Sequence, residues 1–395
     1  MIAAPRPEAE LLLHCARVRL PMSGRDRIRQ ICAGNPDWED FLSLAARHGL
    51  MPLAYERLNE IVPDALPKAV TVKLWAARQR TLAQNAEMAT ELINILEVFD
   101  AVGIVALPYK GPTLALDLYG DVGLRQFGDL DILLRLEDVL AAKERLVGMG
   151  YVADYPLEPA VERAFLRSGA QYHLAMRHAK RGLVVELHWR IDPDVAIEPE
   201  KPGARRFRSR ELLLVLLIHG SKHRWSSLGW LVDVAELMAR DKVDWPWIRE
   251  RSGALGCERR MGLGVLLAEA LLQAPVPPEV SDGCRAVEGL ELTAAVIAQD
   301  LLAVNLKDRS PREMLRDNLA LYDTRRQRLK HLLDTFWNPS LVEWSRWPLP
   351  RPLFFLYPPL RVLRLAWKHS AATVLPRSLA GATPRKPPPP PHSKG

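Results

Sequence analysis

Two carboxylates, Asp129 and Asp131, stand one residue apart in the apolar run Asp129-Leu-Asp-Ile-Leu-Leu134. In a strand, alternation turns both side chains to one face. Like charges held about 4 Å apart repel by roughly 4 kcal/mol at an effective dielectric near 20. A fold accepts such a pair when a cation sits between them or when they share a proton. Upstream stand Lys110-Gly111 and Arg125, residue types that handle phosphate. Gly111 lets a backbone approach a phosphate closely, and N–H groups at a helix start help to bind it. Lys110 is placed to touch such a group, and Arg125 to hold phosphate or orient Asp129. The plainer reading makes Asp129 a turn residue after Gly128 and Asp131 a strand-end charge. Metal plus phosphate is the chemistry these residues point to.

The surrounding pattern names the elements that must position them. Residues 1–102 read as a helical region, with apolar residues at three- and four-residue intervals from Trp38 and again from Val70 to Val102. Asp37 is the expected N-cap of the first of these. The texture changes at Gly103, and residues 103–208 read as a small α/β core. Strands are expected at Ile104–Leu107, Asp129–Leu134, Tyr151–Asp154, Tyr172–Met176 and Leu183–Ile191. Helices are expected from Gly111 to Leu118, with Pro112 in the first turn, from Glu137 to Gly148 and near Ala160–Leu166. Residues 209–345 return to helical periodicity at Glu211–Leu217, Leu228–Met238, Met261–Leu272 and Leu290–Leu302. The basic, aromatic and Pro-rich tail, 346–395, ends PPPPPHSKG, which reads as disordered polyproline. The expected class is α+β, a small mixed-sheet core flanked by N-terminal and C-terminal helical regions.

The order strand, Gly-containing turn, helix, then a strand bearing Asp-x-Asp resembles the nucleotidyltransferase fold of the polymerase-β superfamily. KGPTLALDLYGDVGLRQFGDLDILL (Lys110–Leu134) is similar to the uncharacterised bacterial nucleotidyltransferase family of the NTP-transferase-5 type. There a Lys-Gly precedes the helix and an Arg stands four residues ahead of the Asp-x-Asp. The resemblance continues through VVELHWRI (Val184–Ile191) and HGSKHRWSSLGWLVDV (His219–Val234). It implies an enzyme moving NMP from an NTP, ATP among the candidates, to a hydroxyl or phosphate acceptor, with release of pyrophosphate. It also suggests a modifying enzyme of natural-product or polysaccharide biosynthesis, acting on a small molecule or peptide. In the superfamily a later strand supplies a third carboxylate, which the resemblance places at Glu186, for metal ligation and deprotonation of the acceptor. Many superfamily members carry Gly-Ser at the phosphate turn. Lys110-Gly111 departs from that, so the grip on phosphate is built differently.

The same residues can be weighed on chemistry alone. Attack on an NTP α-phosphorus calls for Mg²⁺ or Mn²⁺ to neutralise phosphate oxygens and activate the incoming hydroxyl. Hard cations want carboxylate oxygens; Asp129 and Asp131 offer two. Glu186, inside the apolar run Leu183–Trp189, is the candidate third, since a charge there is costly unless paired or metal-bound. His188 shares its strand face and is either a substrate contact or a hydrogen-bonded structural histidine. His219 and His223 lie four apart, but without HExxH or a neighbouring Cys they do not make a zinc motif. With Lys222, Arg224 and Trp225 they are candidates for the acceptor side, the indole stacking on a base. Asp233, in an apolar helix, either belongs to that side or pairs with an Arg or His.

Charge narrows the partners. Net charge is +7, but residues 324–395 hold 13 Lys+Arg against two Asp+Glu. The preceding 323 residues hold 41 and 45, so the body carries −4. A nucleic-acid enzyme would want a basic body, and this is not one. The tail mixes cations with Trp347, Phe354, Phe355, Tyr357 and Trp367. It could pack on its own domain, grip an acidic peptide, or lie peripherally on an anionic inner-membrane surface. Four scattered cysteines fit neither a disulfide framework nor a zinc site and point to a reducing cytoplasm. Early Glu8 and Glu10 argue against a secretory signal. The competing reading is a non-catalytic scaffold that binds NTP or a partner through the same core and the Pro-rich tail.

Overall fold

In a computed structural model, residues 4–155, 157–167, 171–195, 197, 203–305, 310–347 and 349–374 are described. The expected polyproline end lies outside them. Two compact units emerge, one formed by residues 1–154 and 172–328, the other by 155–171 and 329–395.

The first unit opens with helices α1 (Pro7–Cys15), α2 (Met22–Ala33), α3 (Trp38–Arg47), α4 (Met51–Ile61) and the 33-residue α5 (Lys68–Asp100). Asp37 caps α3 by accepting from the N–H groups of Glu39 and Asp40, each at 3.0 Å, which satisfies two otherwise orphan donors. Then comes the α/β core: β1 (Leu107–Pro108), α6 (Gly111–Tyr119), β2 (Leu130–Leu133), α7 (Val139–Gly148) and β3 (Tyr151–Ala153). Helix α8 (Pro159–Arg167) belongs to the second unit. Strands β4 (His173–His178) and β5 (Val184–His188) complete the sheet.

The sheet runs β1-β2-β5-β4-β3. Only the β2–β5 pair is parallel; β1–β2, β5–β4 and β4–β3 are antiparallel. This is the mixed sheet of an α+β fold with helical flanks. Strand β1 is shorter and later than Ile104–Leu107. Its Pro108 has no N–H for a ladder, a residue that belongs on a sheet edge, and pairing is confined to Leu107 and Pro108 against Leu133 and Ile132. Strand β2 begins at Leu130, so Asp129 sits in the bend just ahead of it.

Helices α9 (Ser209–Lys222), α10 (Leu228–Arg240), α11 (Trp245–Leu255), α12 (Glu258–Leu272), α13 (Pro278–Arg285), α14 (Leu290–Leu302) and α15 (Pro311–Leu319) follow. Buried side chains of α1–α4 merge with those of α9, α10, α12 and α14 into one hydrophobic core. Polar clamps cross it. Glu236 on α10 accepts from Arg17 Nε and from the Val18 N–H, while Arg260 on α12 holds both oxygens of buried Asp192 at 2.6 and 3.2 Å.

The second unit contains α8, most of α16 (Arg325–Trp337), α17 (Leu341–Arg346) and α18 (Tyr357–Val374). Trp344 is its aromatic centre, against Tyr357 (ring centroids 4.0 Å apart), Phe354 (5.2 Å) and Phe165 (6.0 Å). Ser340 and Glu343 form a capping box at the start of α17. The buried Glu343 also pairs with Arg361 and Arg364. Those two tail cations are therefore neutralised within their own unit. Among the described residues, no helix is long and apolar enough to cross a membrane.

Candidate functional site

The sheet brings the chemistry together by register. Asp131 on β2 is the direct partner of Glu186 on β5, and Leu133 the partner of His188. Across the other edge of β5, His173 on β4 pairs with His188 and Ala175 with Glu186. Paired residues share a face, and so do residues two apart. Asp131, Glu186, His188 and His173 therefore project from the same side of three adjacent strands, while Val185 and Leu187 face the core.

Asp131 is the hub. Its Oδ1 accepts from Lys110 Nζ at 3.0 Å and from Tyr109 OH at 3.4 Å, and lies 3.1 Å from His188 Nε2. The same Nε2 lies 3.1 Å from Glu186 Oε2, and His173 Nε2 lies 3.8 Å from Glu186 Oε1. Asp131 is almost sealed, its side chain 4% exposed, whereas Glu186 keeps 25%. Of these two, Glu186 is the carboxylate that a molecule arriving from outside can reach.

Burial alone would raise the carboxyl of Asp131, but the Lys110 charge and the His188 hydrogen bond outweigh it and hold the group well below the usual carboxylate range. Glu186 is likewise lowered despite burial, by its His188 bond and the charge of His173. His188 moves the other way: burial opposes its charge, yet bonds to Asp131 and Glu186 raise it. Asp129 differs from both other carboxylates. Burial, then the charges of Asp131 and Glu186, push it up to about 6. Three acids share one field, and the one with the weakest local cation support carries the strain.

Lys110 occupies the N-cap position of α6 without a side-chain capping bond, and Gly111 opens that helix with φ +56°. A Cβ at Gly111 would meet the carbonyl oxygen of Asp129 at 3.3 Å. Glycine thus serves twice, for the left-handed backbone and for the close approach of the turn to the Asp-x-Asp segment.

The loop leading into Asp129 is gripped by α5. Asn85 Nδ2 donates to the carbonyls of Val122 and Arg125. Arg125 sends Nε and Nη2 onto Asp233 of α10, at 2.9 Å each, and Tyr119 OH donates to the same carboxylate at 2.7 Å. Asp233 is thus tied to Arg125, and this pair braces the loop, while Arg125 Nη1 is left without a partner.

His219 and His223 lie with ring centroids 4.7 Å apart, both against Trp230. Burial pushes His219 well down and His223 to about 4, and the charges of Lys110 and Lys222 add to this. Lys222 donates to Tyr172 OH at 3.0 Å. Trp225 is placed otherwise than the stacking expectation requires. It is fully buried, and a Cβ on Gly220 or Gly264 would come within 2.5 Å of its ring. No face of the indole is open to a base.

Sequence reasoning passed over His173, Tyr109 and Tyr172. The signal for His173 was alternation: it is the first in-facing position of a strand that pairs with β5. A groove of about 680 Å³ lies on the far side of Tyr109, with Arg205, Arg206, Arg208 and Arg240 on its walls. A smaller cavity, about 320 Å³, adjoins the Leu124–Gly128 loop with His48, Gln84, Arg125 and Trp230. Neither is lined by Asp129, Asp131 or Glu186.

Neither the curated proteins nor the solved structures yield a match to this chain. Residues 34–273 match the family described as uncharacterised nucleotidyltransferase. That span runs from the approach to α3 to the end of α12, so it takes in the whole sheet and every carboxylate and imidazole placed above. The chain belongs to this nucleotidyltransferase family, and is a transferase of phosphorus-containing groups.

Proposed function

We propose that the protein moves NMP from an NTP to a hydroxyl or phosphate oxygen of a small molecule or peptide in a divalent-metal-dependent reaction. The observation that carries this is the in-register convergence of Asp131 and Glu186 on adjacent strands, with Asp129 pushed up to about 6 beside them. An excess of carboxylate in one field is what a divalent cation relieves, and oxygen donors suit Mg²⁺ or Mn²⁺. Asp129, Asp131 and Glu186 are the residues that would hold such an ion. When bound, it would neutralise phosphate oxygens and favour the ionised acceptor.

The chain's own groups supply the rest. Lys110 offers its ammonium, and the N–H groups of Gly111 and Thr113, on either side of Pro112, would start the helix end that meets an arriving phosphate. In the transfer, the acceptor oxygen bonds to the α-phosphorus while the bond from that phosphorus to the bridging oxygen breaks, so pyrophosphate leaves with the electron pair. For a hydroxyl acceptor the proton passes to Glu186, whose Oε2 is steadied by His188 Nε2 at 3.1 Å. His219 and His223 border the same field and are assigned to the acceptor side. Arg125 serves phosphate only indirectly, by fixing the loop into Asp129. The mildly acidic body supports a small molecule or peptide over nucleic acid. Four buried thiols are consistent with a cytoplasmic setting.

The test is incubation of the full chain with each NTP, Mg²⁺ and candidate acceptors, followed by mass spectrometry for an added NMP. Asp131→Asn, with its fold checked by circular dichroism, should lose most of the adduct. Full transfer by that variant sinks the assignment.

A further inference from the structure

Beside the oxygen-rich pair lies a nitrogen-rich group. One donor atom from each of His173, Glu186 and His188 can be chosen so that all three lie within 4.8 Å of one another. The two imidazoles stack, with centroids 5.2 Å apart and planes 25° from parallel. Their Nε2 atoms turn to the same carboxylate, at 3.1 Å from Oε2 and 3.8 Å from Oε1. Both Nδ1 atoms are buried without a protein partner, so Nε2 is the nitrogen that each ring presents to polar atoms. Asp131 Oδ1 stands 3.1 Å from His188 Nε2 as a fourth donor.

Hydrogen bonding alone leaves this arrangement under-explained. His188 Nε2 faces two carboxylate oxygens from different residues at equal distance, yet a ring nitrogen carries one hydrogen. Metal–ligand bonds of about 2.0–2.2 Å leave neighbouring donor atoms about 3–3.5 Å apart. The separations around His188 Nε2 already fall in that range, and His173 Nε2, 3.8 Å from Glu186 Oε1, would have to draw closer. The strands set the positions: Glu186 and His188 are alternate residues of β5, and His173 is the register partner of His188.

We propose that His173, Glu186 and His188 form a two-histidine, one-carboxylate site for a borderline transition ion, zinc foremost, with Asp131 at its edge. Imidazole nitrogens suit zinc and cobalt, whereas Mg²⁺ keeps to oxygen ligands. The site shares Glu186, and Asp131 at its edge, with the nucleotidyl-transfer reading but does not depend on that reading. It can be tested without nucleotide, so the two can fail separately.

The experiment starts from full-length protein stripped with chelator and dialysed against equimolar Zn²⁺ in excess Mg²⁺. Bound metal is then measured by mass spectrometry. About one zinc per chain is expected, and X-ray absorption of the zinc-loaded wild type should show two imidazole ligands. His173→Ala should weaken zinc binding by more than the roughly 10–100-fold that outer-shell changes cost, while His223→Ala should not. Absence of retained zinc, or an all-oxygen shell in the wild-type spectrum, overturns the proposal whatever the variants do. So does a folded His173→Ala that binds zinc as the wild type does, or loss of zinc in His223→Ala alone.

Discussion

Arg125 and Asp233 meet across 108 residues of chain, the guanidinium laying Nε and Nη2 on the two carboxylate oxygens at 2.9 Å each. Both side chains are nearly sealed, 10% and 2% exposed. The pair joins the loop before Asp129 to helix α10, so the position of a site residue depends on a contact made far along the sequence. Tyr119 OH adds a third donor to the same carboxylate.

Removing one member of a buried pair strands the other's charge, which typically costs about 3–5 kcal/mol. Asp233→Ala is expected to lose that much in urea unfolding. Arg125→Ala with Asp233→Ala together should lose less than the sum of the two single changes. Additive losses would mean that the two groups do not act as a unit.

Gly111 makes a sharper prediction about the phosphate turn. A side chain there pays about 1–2 kcal/mol for left-handed backbone and crowds the Asp129 carbonyl at 3.3 Å. Gly111→Ala should lower the melting temperature by a few degrees and weaken nucleotide binding. Calorimetric unfolding and fluorescent-nucleotide titration read the two effects. A variant that melts and binds as the wild type does would show that the turn is not strained as drawn.

The carboxylates should rank by their surroundings. Asp131→Asn retains an oxygen that accepts from Lys110 but removes the charge, and is expected to cut transfer roughly 10²–10³-fold, the scale of one preorganised electrostatic group. Glu186→Gln should also suppress turnover, with near-wild-type stability, because its side chain is a quarter exposed. Measured rates within a factor of two of wild type for both would remove them from the chemistry.

His48 carries a pH dependence of stability. Its Nδ1 accepts from the Leu228 N–H at 3.1 Å and its Nε2 reaches the Leu301 carbonyl at 2.8 Å, a set that suits the neutral ring. Burial, against the Leu301 bond, lowers its pKa to about 4. An unfolded histidine titrates near 6.5. Between these values the unfolded state takes up the proton that the folded state refuses. The contribution of His48 is therefore complete above about pH 6.5 and is lost at about 1.4 kcal/mol per pH unit as pH falls towards 4. Urea midpoints at pH 7.5, 6 and 5 should show a shallower slope for His48→Gln. An identical slope would assign the acid sensitivity elsewhere.

The sheet's centre was legible because apolar runs interrupted by a single charge are informative. Asp131 and Glu186 could not sit in Leu130–Leu133 and Val184–His188 without partners. Helix limits such as those of α10 and α14 followed from period and caps. The relations that escaped are those set by distant residues. Alternation puts His173 on one face of its strand, but its meaning comes from pairing with His188. Trp225 lies among Lys222, Arg224 and Ser226 and reads as a surface residue. The room it occupies is left by Gly220 and by Gly264, which comes from another helix. For Arg125, local sequence cannot show Asp233 arriving on α10 to pair with it.

Strand β5 is hydrogen-bonded on both sides, to β2 and to β4, and its two faces hold opposite kinds of residue. Sliding it by a single position would exchange them, sending Val185 and Leu187 into the polar cleft and Glu186 and His188 into the core. Gain or loss of one residue between Val184 and His188 should therefore be far more damaging than any single replacement there. The spacing of this segment, as much as the identity of its residues, is what delivers Glu186 and His188 to the cleft.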